Sequence, residues 1–314
     1  MSDKGVVLVT GGAGFIGSHL CERLLAMGYR VLCVDNLLTG RKHNLSRLLD
    51  HPLFSFYEQD ISKSLYLDEP LKIVIHFASV ASPKDYMTFP IQTLKAGSLG
   101  TFNMLGLAKA KNADFVLAST SEVYGDPAEH PQKETYWGNV NPVGPRAVYD
   151  ESKRFAEALS MAYMQKHGMP SRIARIFNTY GQRMRSDDGR AVPTFVMQAL
   201  KNEPITIHGD GTQTRSFCYI DDLIDGLIAL IHSNVTGPIN LGNPLETSIL
   251  EVVQWIIRLA DSASPIVHIE PLPDNPRRRN PDIALAKLHL GFAPKVGIQE
   301  GLAKTIAYYR ASIV

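Results

Sequence analysis

Short runs of consecutive apolar, β-branched residues recur along the chain, at 6–9, 31–34, 73–77, 115–118 and 173–177, each followed by a loop or an amphipathic stretch. Strands alternating with helices in this way predict a parallel sheet with helices on both faces. A strand covered on both faces reads as an unbroken apolar run, without strict alternation, and these do. The predicted fold class is α/β: a Rossmann-type doubly wound parallel sheet that binds ligands beyond the carboxyl ends of its strands.

After Asn178 the texture changes. Loops rich in Gly, Pro, Arg and Asp at 181–193, 208–215 and 271–281 interleave with short helices and predict a smaller C-terminal α/β lobe capping the first. The segment 219–231 has a helical apolar pattern that returns to the larger lobe. The expected division is therefore 1–177 plus 217–241 for a dinucleotide-binding domain and 178–216 plus 242–314 for a substrate-binding lobe.

Composition narrows the function classes. Of 314 residues, 45% are hydrophobic and 20% charged, which excludes disordered and fibrous classes. Thirty-two basic against 31 acidic residues give a net charge of +1, so no global field draws the chain to nucleic acid or a membrane, and any anion site must be local. Cys21, Cys33 and Cys218 are widely spaced with no Cys-x-x-Cys pair, which predicts buried free thiols in a reducing compartment and no metal site. With no basic leader and no apolar run of ~18 residues, a cytoplasmic location is expected.

The first strand runs into Thr10-Gly11-Gly12-Ala13-Gly14-Phe15-Ile16-Gly17 and then a helix over 18–27. Glycines at 11, 14 and 17 let the backbone turn tightly, approach a pyrophosphate and pack helix on strand, with the helix N-terminus facing the phosphates. A second strand ends at Asp35, where a carboxylate can bond both ribose hydroxyls of NAD and repel the 2′-phosphate of NADP. Arg41 and Lys42 follow closely enough to leave NADP open. Asp60-Ile61, at the end of a third strand, suits an adenine contact.

Tyr149-Asp150-Glu151-Ser152-Lys153 opens a helix, and i,i+4 spacing puts phenol and ammonium on one face. The phenol is a poor base at its usual pKa near ~10, but an adjacent ammonium favours phenolate. Upstream, the strand 115–118 ends in Ser119-Thr120-Ser121-Glu122, whose side chains face the ligand crevice; the hydroxyls can equally serve as helix caps.

These motifs, with Arg175-Ile176-Phe177-Asn178-Thr179-Tyr180-Gly181 and Gln213-Thr214-Arg215-Ser216-Phe217, resemble the extended short-chain dehydrogenases/reductases that act on nucleotide sugars. Adding Tyr136-Trp137-Gly138-Asn139-Val140-Asn141-Pro142 and Pro276-Arg277-Arg278-Arg279-Asn280-Pro281-Asp282, the combination is most similar to the UDP-glucuronate decarboxylase branch. Dehydratases of the superfamily carry Asp-Glu where this chain has Ser121-Glu122, and 4-epimerases usually lack the Glu. UDP-hexuronate 4-epimerase, NDP-hexose 4,6-dehydratase and a catalytically silent NAD-binding regulator are the alternatives.

The resemblance implies NAD as cofactor, bound also by Phe15, Ile16, Asn36, Thr39, Gly40, Phe77, Ala78 and Ser79. It implies Tyr149 as the base at C4, Thr120 on the same oxygen, Lys153 on the nicotinamide ribose, and Ser121, Glu122 and Arg279 as further catalytic residues. Glu122 and Arg279 would lie near the sugar carboxylate, where Arg279 is equally suited to clamp a diphosphate. Asn178, Arg190 and Arg215 would hold the UDP-sugar. Helices at 93–110 and 152–166 would pair with a second copy as a four-helix bundle, making a homodimer. Ala96-Gly97 departs from the Thr-Asn that relatives commonly carry.

Overall fold

The computed structural model describes residues 4–270 and 278–313. Seven parallel strands form the central sheet in the order Gly237–Leu241, β6, β5, β4, β1, β2, β3. Here β1 is Val6–Thr10, β2 Arg30–Asp35, β3 Phe54–Glu58, β4 Ile73–His76, β5 Asp114–Thr120 and β6 Ser171–Ile176. The β1 run is buried throughout, as are all but the first residues of β2 and β5. That double-sided burial is why these strands carry unbroken apolar residues.

Strand order reverses at β1. Chain entering β2 leaves to one side and chain entering β4 to the other, which opens a crevice at their carboxyl ends. Helix α1 (Phe15–Ala26) leaves β1 through the glycine turn. The segment expected as one helix from 93 is instead three consecutive pieces. They are α3 (Pro90–Lys95), preceded by the short α2 (Pro83–Thr88), a π-helical turn at Ala96–Gly100, and α4 (Thr101–Ala110). The π turn carries Gly97 onto helix α5 (Ala147–His167), where a Cβ would lie 2.5 Å from Ser152 Cβ. Gly97 therefore does packing work that an Asn could not do without displacing α5.

Beyond β6 the described residues form α6 (Ala191–Leu200) and short paired strands. Ile205–His208 runs parallel to Ile266–Ile269, and Thr214–Ser216 runs antiparallel to Glu246–Ser248. The predicted helix at 219–231 is Ile220–His232, and the strand Gly237–Leu241 that follows it joins the main sheet beside β6. Cys21, Cys33 and Cys218 are free and buried. Among the described residues, no helix is long and apolar enough to cross a membrane.

Candidate active site

The glycine turn forms because Gly11 sits at φ +72°, and because its Cβ would lie 2.6 Å from the Ala78 backbone nitrogen. The loops after β1 and β4 are thereby pressed together, with the Phe77 amide bonded to the Thr10 carbonyl at 3.1 Å. Gly17 has no room for a side chain against the Gly11 carbonyl. The N-cap of α1, Gly14, has no side-chain cap, which leaves its first-turn amides open to an anion.

Asp35 ends β2 with its carboxylate held by the Ala13 amide at 3.0 Å and the Leu37 amide at 2.9 Å. Burial pushes its pKa up, and the two amides pull it back. Gly40 brings backbone against the same carboxylate, where a Cβ would sit 2.8 Å from Oδ1. Arg41 turns away to Asp187 at 2.7 Å and Lys42 lies over the Phe56 ring, so neither is aimed at a 2′-phosphate.

Gly11, Asp35 and Gly40 line a cavity of about 410 Å³. Gly14, Phe15, Ile16 and Gly17 form its floor, with Asn36 and Thr39 beside Asp35. Asp60 and Ile61 line it two and three residues past the end of β3, and Asp60 Oδ1 accepts the Ser62 amide at 2.9 Å. Phe77, Ala78 and Ser79 complete the wall from β4.

A second cavity, of about 390 Å³, adjoins the first and shares Ile16, Phe77, Ser79 and Arg190 with it. Tyr149 and Lys153 project into it from α5, Thr120, Ser121 and Glu122 from the end of β5, and Asn178, Arg215 and Arg279 from the chain beyond β6. The structure thus brings every predicted site residue to one of two contiguous cavities. Of the Pro276–Asp282 motif, Pro276 and Arg277 fall outside the described residues.

Lys153 is buried and donates from Nζ to the Ala118 carbonyl at 2.7 Å, with the ammonium 5.9 Å from the Tyr149 ring centroid. Burial draws its pKa down to about 8. The Tyr149 ring stacks on Tyr86, 5.4 Å apart and 5° from parallel. Burial holds the phenol above its ordinary pKa, and its hydrogen bond with Thr120 opposes this. Thr120 also caps the turn after β5 by accepting the Glu122 amide at 3.2 Å, so the capping and crevice roles coexist in one hydroxyl.

Glu122 is clamped between two guanidiniums, Arg279 on Oε1 and Arg146 on Oε2. Burial alone would raise its pKa, but the two cations overturn that and hold it at about 2. Burial and then the nearby Arg279 push Arg215 down to about 10, still a cation at neutral pH. Arg146, Arg215 and Arg279 stand on this wall with the ionised Glu122, and their planar guanidinium donors are of the kind that a local anion site in a chain of net charge +1 requires. Arg190 is held by Asp188 through Nε at 2.5 Å and Nη2 at 2.9 Å, between the two cavities.

Arg146 and Tyr86 were not foreseen. Arg146 stands three residues before Tyr149 at the start of α5, so helical spacing could have found it. Tyr86 carries no sequence signal, since it reaches the site only through the packing of α2.

Residues 7–242 match the family described as NAD dependent epimerase/dehydratase. This chain belongs to that family. Within it, the chain is 51% identical over 311 residues to UDP-glucuronic acid decarboxylase 1 of Xenopus tropicalis, covering 99% of this chain and 73% of the relative. UDP-glucuronic acid decarboxylase 1 of Arabidopsis thaliana is 48% identical over 308 residues, covering 98% and 70%. Among solved structures, the UDP-glucuronic acid 4-epimerase of Bacillus cereus, in complex with UDP-glucuronic acid and NAD, has a TM-score of 0.86. It is 30% identical over 98% of this chain and 99% of its own. UDP-glucose 4-epimerase of Thermotoga maritima reaches a TM-score of 0.89 at 28% identity, covering 98% of this chain and 100% of its own. The fold and cofactor cleft of the epimerase/dehydratase family are thus common to enzymes with different outcomes at the sugar.

Proposed function

We propose that the protein decarboxylates UDP-glucuronate to UDP-xylose. The observation that carries this reading is the doubly clamped Glu122 facing the same cavity as Tyr149 and Thr120. A glutamate held ionised by two arginines is no acid for expelling a hydroxyl, and arginines on the same wall suit an anionic sugar. Identity of about 50% to decarboxylases over nearly the whole chain supports the same choice.

The first cavity fits NAD. Its crowded glycines leave room only for backbone against a diphosphate, the amides of α1 are open, and Asp35 offers a carboxylate to ribose hydroxyls. When bound, NAD supplies reversible two-electron oxidation of a secondary alcohol. Tyr149 takes the proton of the C4 hydroxyl, helped by the Lys153 charge and by Thr120 on the same oxygen. A C4 ketone is β to the C6 carboxylate. Breaking the C5–C6 bond then leaves its electron pair on C5, delocalised onto the C4 oxygen as an enolate that the Tyr149 and Thr120 hydroxyls stabilise. The C6 carboxylate leaves as carbon dioxide, C5 takes a proton from water, and C4 returns to the alcohol with the proton that Tyr149 has held. We place Glu122 and Arg279 beside the carboxylate and C5, with Ser121 next to them. Asn178, Arg190 and Arg215 hold the nucleotide portion, in keeping with their positions around the second cavity.

The two-lobe division, 1–177 with 217–241 against 178–216 with 242–314, is our reading of the same arrangement. It is supported by the return of Gly237–Leu241 to the main sheet. Exposed Leu99 and Phe102 on the π turn and α4, with Phe155 on α5, support a homodimer through a four-helix bundle. Three unpaired thiols fit a cytoplasmic location.

Liquid chromatography that resolves the 4-epimers, coupled to mass spectrometry, after incubation with UDP-glucuronate and NAD+ tests the function. A UDP-pentose with loss of carbon dioxide is expected. An isobaric hexuronate would make the protein a 4-epimerase, and an unchanged substrate would make it a silent binder.

A further inference from the structure

Behind the acid–base pair lies a carboxylate that this chemistry does not use. We propose that Glu157 is a positioning residue for Lys153: gripped by Ser119 and Arg175, it locks α5 to the end of β5 and keeps the lysine seated beside Tyr149. The proposal rests on the assignment of Tyr149 as the base.

Tyr149, Lys153 and Glu157 recur every fourth residue on α5 and so form one stripe. The Glu157 carboxylate is tied to the sheet three times. Ser119 Oγ donates to Oε1 at 2.5 Å, and Arg175 donates Nε to Oε1 at 3.0 Å and Nη2 to Oε2 at 2.7 Å. Arg175 is itself fixed, giving Nη1 to the Tyr124 hydroxyl and the Glu134 carbonyl, both at 2.9 Å. Ser119 lies between Ala118, whose carbonyl takes the Lys153 ammonium, and Thr120, which bonds the Tyr149 phenol. One carboxylate therefore anchors the strand residue between the two contacts on which the base depends.

The charges around Lys153 assign Glu157 a second effect. From β4 comes His76, which lies between Thr10 and Thr101 and is kept neutral by burial that draws its pKa to about 3. From β5 comes only the Ala118 carbonyl, and from α5 the Tyr149 ring and Glu157. From β6 comes Arg175, already paired with Glu157. Burial pulls Lys153 down and Glu157 opposes it. Without that carboxylate, the ammonium is lost at lower pH and the phenol loses the cation that favours its ionisation.

The test is Glu157→Gln in the full chain, read by NMR titration of lysine labelled with carbon-13 at Cε, with Lys153→Met identifying the signal. Lys153 should titrate ~1 pH unit lower than in the wild type. The acid limb of kcat/KM should move up by a similar amount, with activity at pH 7 down about tenfold and recovering as pH rises. Should the variant not fold, Glu157→Gln with Arg175→Gln removes the pair without stranding a charge, and Lys153 should again titrate low. An unmoved lysine titration and an unmoved acid limb, whatever the activity, would leave Glu157 a structural residue and overturn the proposal. A wild-type protein that releases no carbon dioxide defeats the decarboxylase reading alone, because the lysine titration needs no substrate.

Discussion

Arg279 closes on the carboxylate of Glu122 from 157 positions further along the chain, and in doing so ties its own segment to the end of β5. The loop that carries Arg279 is fixed by buried Gln132, whose backbone and side chain bond Asn280 and Asp282, each at 2.8–2.9 Å. The pair is thus a rigid part of the cavity wall. Arg146, from the start of α5, completes the clamp.

Breaking this clamp should cost chemistry before cofactor binding. Glu122→Gln keeps shape but leaves two guanidiniums without their counter-charge, and Arg279→Lys keeps charge but loses the planar fork. Each should lower kcat by ~100-fold or more while the Kd for NAD stays within about twofold, because neither residue lines the cofactor cavity. Steady-state kinetics with equilibrium dialysis of NAD checks both halves. Loss of NAD binding in parallel with kcat would show that the clamp supports the fold and not the reaction.

Tyr149→Phe removes one oxygen and keeps the ring stacked on Tyr86. Turnover should fall by ~10³-fold or more, with NAD affinity retained. Substantial residual turnover would take Tyr149 out of the base role.

Much of this was legible in the chain. β1, β2, β4 and β5 stand out because burial on both faces demands unbroken apolar runs, and the glycine turn because its backbone excludes side chains at 11 and 17. β3 is weaker. Its sequence Phe-Ser-Phe-Tyr-Glu is half exposed at the sheet edge, so little burial constrains it. The break in the 93–110 helix was hidden because Gly97 answers to Ser152, a neighbour from another helix. The same holds for Tyr86 and Glu157, whose partners lie on other elements.

We expect Asp35 to set the cofactor choice. Its carboxylate is already aligned by two amides, and no described cation is directed to the space beside it, since Arg41 is engaged by Asp187. Asp35→Ser should weaken NAD binding by about tenfold and narrow the preference for NAD over NADP, each gain or loss being ~1–2 kcal/mol for a charge-assisted hydrogen bond. Calorimetric titration with both dinucleotides measures this. Unchanged discrimination would place the ribose elsewhere.

The apolar faces of α4 and α5 give the assembly its own test. Phe102 and Phe155 are 54% and 47% exposed, large for aromatic residues on adjoining helices. Phe102→Glu with Phe155→Glu should halve the mass seen by light scattering, while NAD still binds, because neither phenylalanine lines the cofactor cavity. A wild-type chain that is already monomeric would end the bundle proposal.

Asp150 makes stability depend on pH in the reverse of the usual direction for a carboxylate. It is buried in the first turn of α5, with Oδ1 unpartnered among the described residues. Burial first, and the Glu122 charge second, push its pKa from 3.8 up to about 7. A carboxyl that holds its proton more tightly when folded contributes stability that is complete below its unfolded pKa. That contribution is lost as pH rises through the folded value. Between pH 4 and pH 8 the loss is on the order of 2–4 kcal/mol. Asp150→Asn keeps the shape but cannot ionise, so it should melt a few degrees above the wild type at pH 8, with the gap closing at pH 5. Calorimetric melting at the two pH values reads this directly. An equal gap at both would mean that the Asp150 proton is not what changes.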